Sequence, residues 1–216
     1  MASISLDASA LPQGQSRLLL RQVVKSLCKT VEEAEVGTSY HHQGVASLCY
    51  LLSRRMGFTR EQALSLYLAG SLHDIGKLAI PPGILLAPRR LTEQEYKLVQ
   101  GHVQASVRIL RPLGIMWPDL PIIVGQHHER MDGSGYPAGL KGDAIHPSAR
   151  ILAVVDVAHA MLSKRNYRQA GTFEAVLAEL RGPGFDQSVV DVIDIEHGNF
   201  VGWLDRSMGH VATHYR

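Results

Sequence analysis

Residues 127–137, His127-His128-Glu129-Arg130-Met131-Asp132-Gly133-Ser134-Gly135-Tyr136-Pro137, set two adjacent imidazoles beside an acid, a base and a glycine-dense loop. Neighbouring imidazoles can supply two nitrogen ligands to one metal, and histidine is the commonest metal-ligating side chain. The glycines let the backbone approach a ligand or adopt φ > 0, and Pro137 fixes the direction in which the loop leaves. Read alone, the stretch also fits a helix C-terminus with two surface histidines and a polar turn. His73-Asp74, followed by Ile75-Gly76-Lys77, is a second concentration of chemistry. A carboxylate beside an imidazole is costly at the end of an otherwise apolar helix, and metal coordination offsets that cost. An Asp can bridge two cations through its two oxygens while the neighbouring histidine ligates one of them. Lys77, four residues after His73, falls on the same helix face one turn on, a poor metal ligand but a good phosphate contact. Alone, His73-Asp74 reads equally well as a charge pair capping its helix. Asp156, set among Val154, Val155 and Val157, needs a partner, because aspartates are rarely buried unpaired. His41 and His102 complete the set; singly, either is an ordinary helix-surface residue.

Helices must carry these groups. From Ser16, Leu19, Val23, Val24, Leu27 and Val31 recur on one face and predict an amphipathic helix over about 16–35. A second helix is predicted from about Ser39 to Met56, with His41 near its start. Thr59-Arg60-Glu61-Gln62 has the form of a capping box and opens a helix towards His73, which Pro81-Pro82-Gly83 must end. Thr92-Glu93-Gln94-Glu95 is a second box, opening a helix expected to carry His102 and to reach Leu110 before Arg111-Pro112. Another is expected from Pro118 to about Glu129, followed by a loop from Met131 to His146 without periodicity. Pro147 suits a helix start, and Ile151, Leu152, Val155 and Met161 form the stripe of the helix that holds Asp156. Shorter helices are expected at 172–181 and 186–196; the chain from Asn199 shows no clear pattern. No strand-like alternation occurs, so the expected fold class is all-α, a helical bundle with short connections.

Composition narrows the partners. The 216 residues suffice for a sizeable core, and 45% hydrophobic with 19% charged residues is a globular balance. A net charge of +2 is too mild to argue for a nucleic-acid duplex or a membrane surface as partner, and neither is expected. No run reaches the roughly 18 apolar residues of a membrane span, and the N-terminus does not have the form of a secretion signal. Cys28 and Cys49 lie in apolar helical patterns without ligand spacing, as expected of thiols in a reducing compartment. A cytoplasmic protein is expected.

In chain order, His41, His73-Asp74, His102, His127-His128 and Asp156 resemble the HD-GYP family, a branch of the HD phosphohydrolases. The motifs that carry the resemblance are HDIGK at 73–77, HHERMDGSGYP at 127–137, ARILAVVD at 149–156 and RNYR at 165–168. It implies an HD-type helical bundle with a binuclear metal site in its core. The chain then divides into a lead-in and amphipathic helix at 1–36, a catalytic domain at 37–200 and a tail at 201–216. The implied metal ligands are His41, His73, Asp74, His102, His127, His128 and Asp156, with Asp74 bridging two divalent ions, iron or manganese. The implied reaction is hydrolysis of the bacterial messenger cyclic di-GMP to linear pGpG, and on to GMP. Asp74 and Lys77 are the implied catalytic residues; Lys77, Tyr136, Arg165 and Arg168 are the implied substrate contacts. Implied partners are cyclic di-GMP and a GGDEF diguanylate cyclase docked on the GYP loop, while the 16–35 helix fits either a homodimer contact or the remnant of a linker.

The chain departs from the family's pattern at several positions. Gly37 stands where members with a third metal place a Glu, so two metals are expected. Gly44 replaces the usual Arg, Ser106 a common Gly, His146 a Pro and His159 an Asp. None removes an implied ligand; they bear on substrate fit, loop shape and turnover. His159 can face the site but reads first as an ordinary helix histidine, while His42, His197, His210 and His214 match no motif. Two rivals stand beside the enzyme. One is a cyclic-dinucleotide sensor or docking module, weakly active or inactive. The other is a phosphodiesterase for another cyclic dinucleotide, since the sequence does not separate guanine from adenine.

Overall fold

A computed structural model describes residues 22–24, 26–31, 33, 41–162 and 171–207. Among them are helices and no strands, as the periodicity predicts. After a helical stretch within 22–33 come α1 (His41–Arg55), α2 (Arg60–Leu72) and a 3-10 turn (Ile75–Ala79). Then follow α3 (Pro82–Leu85), α4 (Glu93–Gln100), α5 (His102–Leu110), a 3-10 turn (Arg111–Ile115) and α6 (Leu120–Gly125). A third 3-10 turn (Gly142–Ala144) leads into α7 (Pro147–Leu162), α8 (Phe173–Leu180), α9 (Gln187–Ile195) and α10 (His197–Ser207).

Both capping boxes form. Thr59 Oγ1 accepts from Gln62 N at 3.2 Å, and Thr59 N donates back to Gln62 Oε1 at 2.9 Å. Thr92 and Glu95 repeat the exchange at 3.2 and 2.8 Å, and Arg89 holds Glu95 from outside at 2.6 Å. Each box satisfies two of the orphan donors at its helix start. The core forms where α1 packs on α2, α7 and α10, and α2 packs on α6 and α7. Leu48, Leu52, Leu66, Leu72, Leu152 and Val155 are fully buried there, each contributing roughly 1.5–3 kcal/mol relative to exposure.

Several boundaries differ from expectation. The helix opened by Thr92 does not run to Leu110 but breaks at Gly101, which caps α4 through its N–H on Leu98 O and Lys97 O. Glycine weakens a helix interior, and the His102 ring takes the Val99 carbonyl at 2.6 Å, competing with the helical bond. α6 begins at Leu120, with Pro121 in its first turn, and stops at Gly125, so His127 and His128 lie in a turn beyond it. The helix opened by Thr59 ends at Leu72, before the prolines, and Pro82 instead starts α3. Residues 199–207, where the sequence shows no clear pattern, are helical: α10 crosses residue 201 and buries Phe200 completely. On the N-terminal stretch, Val24 and Val31 are buried in this chain's own core, whereas Val23 is exposed. No helix among the described residues is long and apolar enough to cross a membrane.

Candidate metal centre

Five places in the chain converge on one buried point. His41 opens α1, His73 caps the end of α2, and Asp74 starts the 3-10 turn after it. His102 opens α5, His127 and His128 follow α6, and Asp156 comes from the middle of α7. Three of the imidazoles are held in the same way. His73 Nδ1 lies 2.9 Å from Gly70 O, His102 Nδ1 2.6 Å from Val99 O, and His127 Nδ1 2.6 Å from Val124 O, each on the carbonyl three residues back. A carbonyl can only accept, so each Nδ1 carries the hydrogen and points the ring's Nε2 inward.

The inward Nε2 atoms of His73, His102 and His127 are buried without a hydrogen bond, as is Asp74 Oδ1. Buried polar atoms left this way are expensive, and one shared metal centre relieves them together. Asp74 is the hub. Its Oδ1 lies 3.2 Å from His102 Nε2 without hydrogen-bond geometry, and its Oδ2 lies 3.2 Å from His73 Nε2 and 2.8 Å from Lys77 Nζ. The donor atoms form two groups, His41/His73/Asp74 and Asp74/His102/His127/His128, each with all its members within 4.8 Å of one another. Asp74 belongs to both, so it would be shared by two cations held there. Asp156 flanks the first group, with Oδ1 3.1 Å from His41 Nε2 and 3.6 Å from His73 Nε2. The residues present therefore fit a pair of divalent ions.

All seven sequence-derived ligand positions meet here. Lys77 also reaches the site, though not from a helix face beside His73: it sits in the 3-10 turn with its ammonium on Asp74. Tyr136 stacks on His128, with centroids 4.7 Å apart and planes at 27°. Arg165, Arg168 and Gly37 lie outside the described residues. A surface cavity of about 350 Å³, lined by Met56, Phe58, Gln62, Asp119 and His146 among others, includes none of these ligands.

The electrostatics divide the site. Burial works against the Asp74 carboxylate, yet His73 and Lys77 hold it well below the usual range. Burial likewise opposes the Asp156 carboxylate, and the hydrogen bond from His41 with the nearby charge of His73 outweighs it. Burial disfavours the His73 imidazolium, but Asp74 and Asp156 raise it to about 10. Burial, aided by the neighbouring His128 and His73, keeps His127 neutral, and burial takes His128 down to about 4 against the pull of Asp156 and Asp74. A metal ligand must be deprotonated, so an ion entering beside His73 must displace a proton, whereas His127 and His128 are ready. Manganese titrations of the metal-free protein at pH 6.5 and 8 should therefore show one class of ion bound more tightly at the higher pH. The gain should approach about tenfold per pH unit, with proton release. Uptake independent of pH and without proton release would contradict this.

Residues around the ligands fix their positions. Ser106 Oγ donates to His73 O at 2.8 Å and accepts from Gly76 N at 2.8 Å, tying α5 to the His73-Asp74 turn. A Cβ on Gly76 would collide with His102 O, so only glycine admits this approach. Sequence reasoning gave Glu129 no role. It is buried and accepts from Ala138 N at 2.7 Å and Leu140 N at 2.8 Å, pinning the loop after His128. Gly135 fits beneath it because a Cβ would strike His128 O and Arg130 N. His42 was also passed over, yet it is buried with Nε2 3.7 Å from Asp74 Oδ2. Its position beside His41, paralleling His127-His128, is the signal that could have found it. His159 is not an ordinary helix histidine: it is buried, with Nδ1 3.0 Å from His41 Nδ1.

Known proteins resemble this chain in sequence and in fold. The HD domain model matches residues 17–186. The chain is 37% identical over 177 residues to the cyclic di-GMP phosphodiesterase response regulator RpfG of Xanthomonas campestris pv. campestris, covering 80% of this chain and 47% of that protein. It is 38% identical over 181 residues to the 3'3'-cGAMP-specific phosphodiesterase 2 of Vibrio cholerae serotype O1, covering 82% of this chain and 34% of that protein. The chain thus spans less than half the length of either relative. The crystal structure of a V. cholerae cyclic GMP-AMP-specific phosphodiesterase, V-cGAP3, shares the fold. It aligns with TM-score 0.61 at 15% identity, over 86% of this chain and 53% of its own. On its matched length, its motifs and its helical frame, the chain belongs to the HD-domain family and, within it, to the HD-GYP branch.

Proposed function

We propose that the chain is a cytoplasmic, metal-dependent phosphodiesterase that hydrolyses cyclic di-GMP to linear pGpG and on to GMP in bacterial signalling. The observation that carries this reading is the pair of ligand groups sharing Asp74. When bound, two divalent cations supply Lewis acidity towards a phosphodiester and acidify a water. A mixed imidazole and carboxylate donor set suits iron or manganese better than thiolate-seeking ions.

The chain's own residues do the rest. Asp74 joins the two groups, and Asp156 completes the first beside His41 and His73. The carbonyls of Gly70, Val99 and Val124 keep His73, His102 and His127 turned inward. Lys77, less buried than Asp74 and paired with it at 2.8 Å, is the cation placed to stabilise charge developing on a phosphoryl oxygen. Tyr136 forms a wall against His128, and burial raises its phenol, so it serves as a surface and a hydrogen-bond donor rather than a base. Arg165 and Arg168 take the second phosphate and the guanine side in this reading. The exposed tip of the GYP loop, Asp132, Ser134 and Pro137–Gly139, offers a docking surface for a GGDEF diguanylate cyclase.

A second substrate has a specific observation behind it: the relative specific for 3'3'-cGAMP is as similar to this chain as the one named for cyclic di-GMP. Anaerobic protein loaded with Fe(II) or Mn(II) should be given each dinucleotide separately and the products resolved by chromatography. Linear pGpG from cyclic di-GMP is the expected result. Cleavage of cGAMP alone would transfer the reading to that substrate. Two intact but bound dinucleotides would replace catalysis with sensing.

A further inference from the structure

Two departures from the family's pattern, Gly44 and His159, are distant in sequence but adjacent in space. His41 stands apart from the other inward-facing imidazoles. His73, His102 and His127 each anchor Nδ1 on a carbonyl three residues back. Among the described residues, the group that meets His41 Nδ1 is instead Nδ1 of His159, 3.0 Å away, with the rings edge to face at 4.9 Å between centroids. His159 projects from α7 one turn beyond Asp156, whose Oδ1 lies 3.1 Å from the other nitrogen of His41. One helix therefore grips His41 at both ring nitrogens. The His159 ring lies directly over Gly44 on α1, where a Cβ would collide with its Nε2. Any side chain at position 44 would take the volume that the imidazole fills.

We propose that His159 is a positioning residue for His41, and that Gly44 is the space that lets it reach. An imidazole is suited to this place because its Nδ1 can donate or accept. When His41 Nε2 bears a hydrogen towards Asp156, His41 Nδ1 accepts from His159. When His41 Nε2 offers its lone pair to a cation, His41 Nδ1 must carry the hydrogen, and His159 Nδ1 accepts it. A backbone carbonyl, as used by the other three histidines, supports only the second arrangement. His159 thus fixes the ring plane of His41 in both states and sets the affinity of the His41/His73/Asp74 half of the centre. Outer partners of metal-bound histidines typically govern affinity by about 10–100-fold.

This inference rests on the binuclear reading, and the test separates the two. The probe is Mn(II) added to metal-free protein, followed by calorimetry and by metal analysis after desalting. Wild-type protein should hold two ions; fewer would remove the binuclear reading itself. With two ions in the wild type, His159→Leu should keep its helical circular dichroism but hold one ion firmly, the other weakened about 10–100-fold. Gly44→Ala, which displaces the ring without removing it, should do the same. His159→Asn, which puts an amide oxygen where Nδ1 lies, should restore the second ion. Should His159→Leu not fold, His159→Asn and His159→Gln decide the matter, since glutamine places its amide where Nε2 lies and should lose the ion that asparagine keeps. Two ions bound with wild-type affinity in His159→Leu, or equally by the Asn and Gln variants, would overturn the proposal.

Discussion

Asp74→Ala should hold neither metal ion firmly and should lower cyclic-dinucleotide hydrolysis by at least about 10³-fold, equivalent to roughly 4 kcal/mol of transition-state stabilisation. The size of the effect follows from the position of the carboxylate. Asp74 is the one side chain common to both ligand groups, so its loss removes a ligand from each and the link between them. It also removes the partner that fixes Lys77 at 2.8 Å. Asp74→Asn, equal in size but uncharged, should be nearly as inactive, which separates charge from shape. The metal-free variants should melt below the metal-free wild type, because His73 and Lys77 lose the buried carboxylate that compensates their charge. Metal analysis and product chromatography read both effects. Two ions retained by Asp74→Ala, or turnover within about tenfold of wild type, would show that Asp74 does not bridge.

Glu129→Ala should be the most destabilising single change near the site. The carboxylate is buried and accepts from two backbone donors, Ala138 N and Leu140 N. Hydrogen bonds to a charged group contribute roughly 1.5–3 kcal/mol each, so losing both costs about 3–6 kcal/mol. For a chain of this length the melting temperature should fall on the order of 10 °C or more. Activity should fall as well, because the freed loop carries Tyr136, whose N–H donates to His128 O at 3.1 Å and whose ring stacks on His128. Glu129→Gln keeps one acceptor and should lose about half as much stability. Thermal melts and proteolysis of the 131–146 loop test this; a Glu129→Ala melt within about 2 °C of wild type would contradict it.

The helices were legible wherever a local rule acts alone. The boxes at Thr59 and Thr92 and the proline at 147 announce helix starts in a few residues, and the structure has helices there. The breaks at Gly101 and Gly125 were not legible, since they depend on carbonyls that the His102 and His127 rings capture. A side chain competing for a backbone acceptor leaves no trace in hydrophobic periodicity. The same limit applied to the site. The ligand types stood out because buried histidines and aspartates need partners, but their supports did not. Glu129 reads as one more polar residue until the loop folds back onto it. His159 and Gly44 look like unrelated departures until α1 and α7 pack together and place one over the other. Phe200 carries no periodic signal in the sequence, yet α10 buries it completely.

The most direct measurement is an anomalous difference map from crystals of the manganese-loaded protein. Two peaks about 3.5–4 Å apart are expected, both against Asp74. His41, His73 and Asp156 should surround one peak, and His102, His127 and His128 the other. A single peak, or two peaks that do not share Asp74, would contradict the binuclear centre on which the proposed hydrolysis depends.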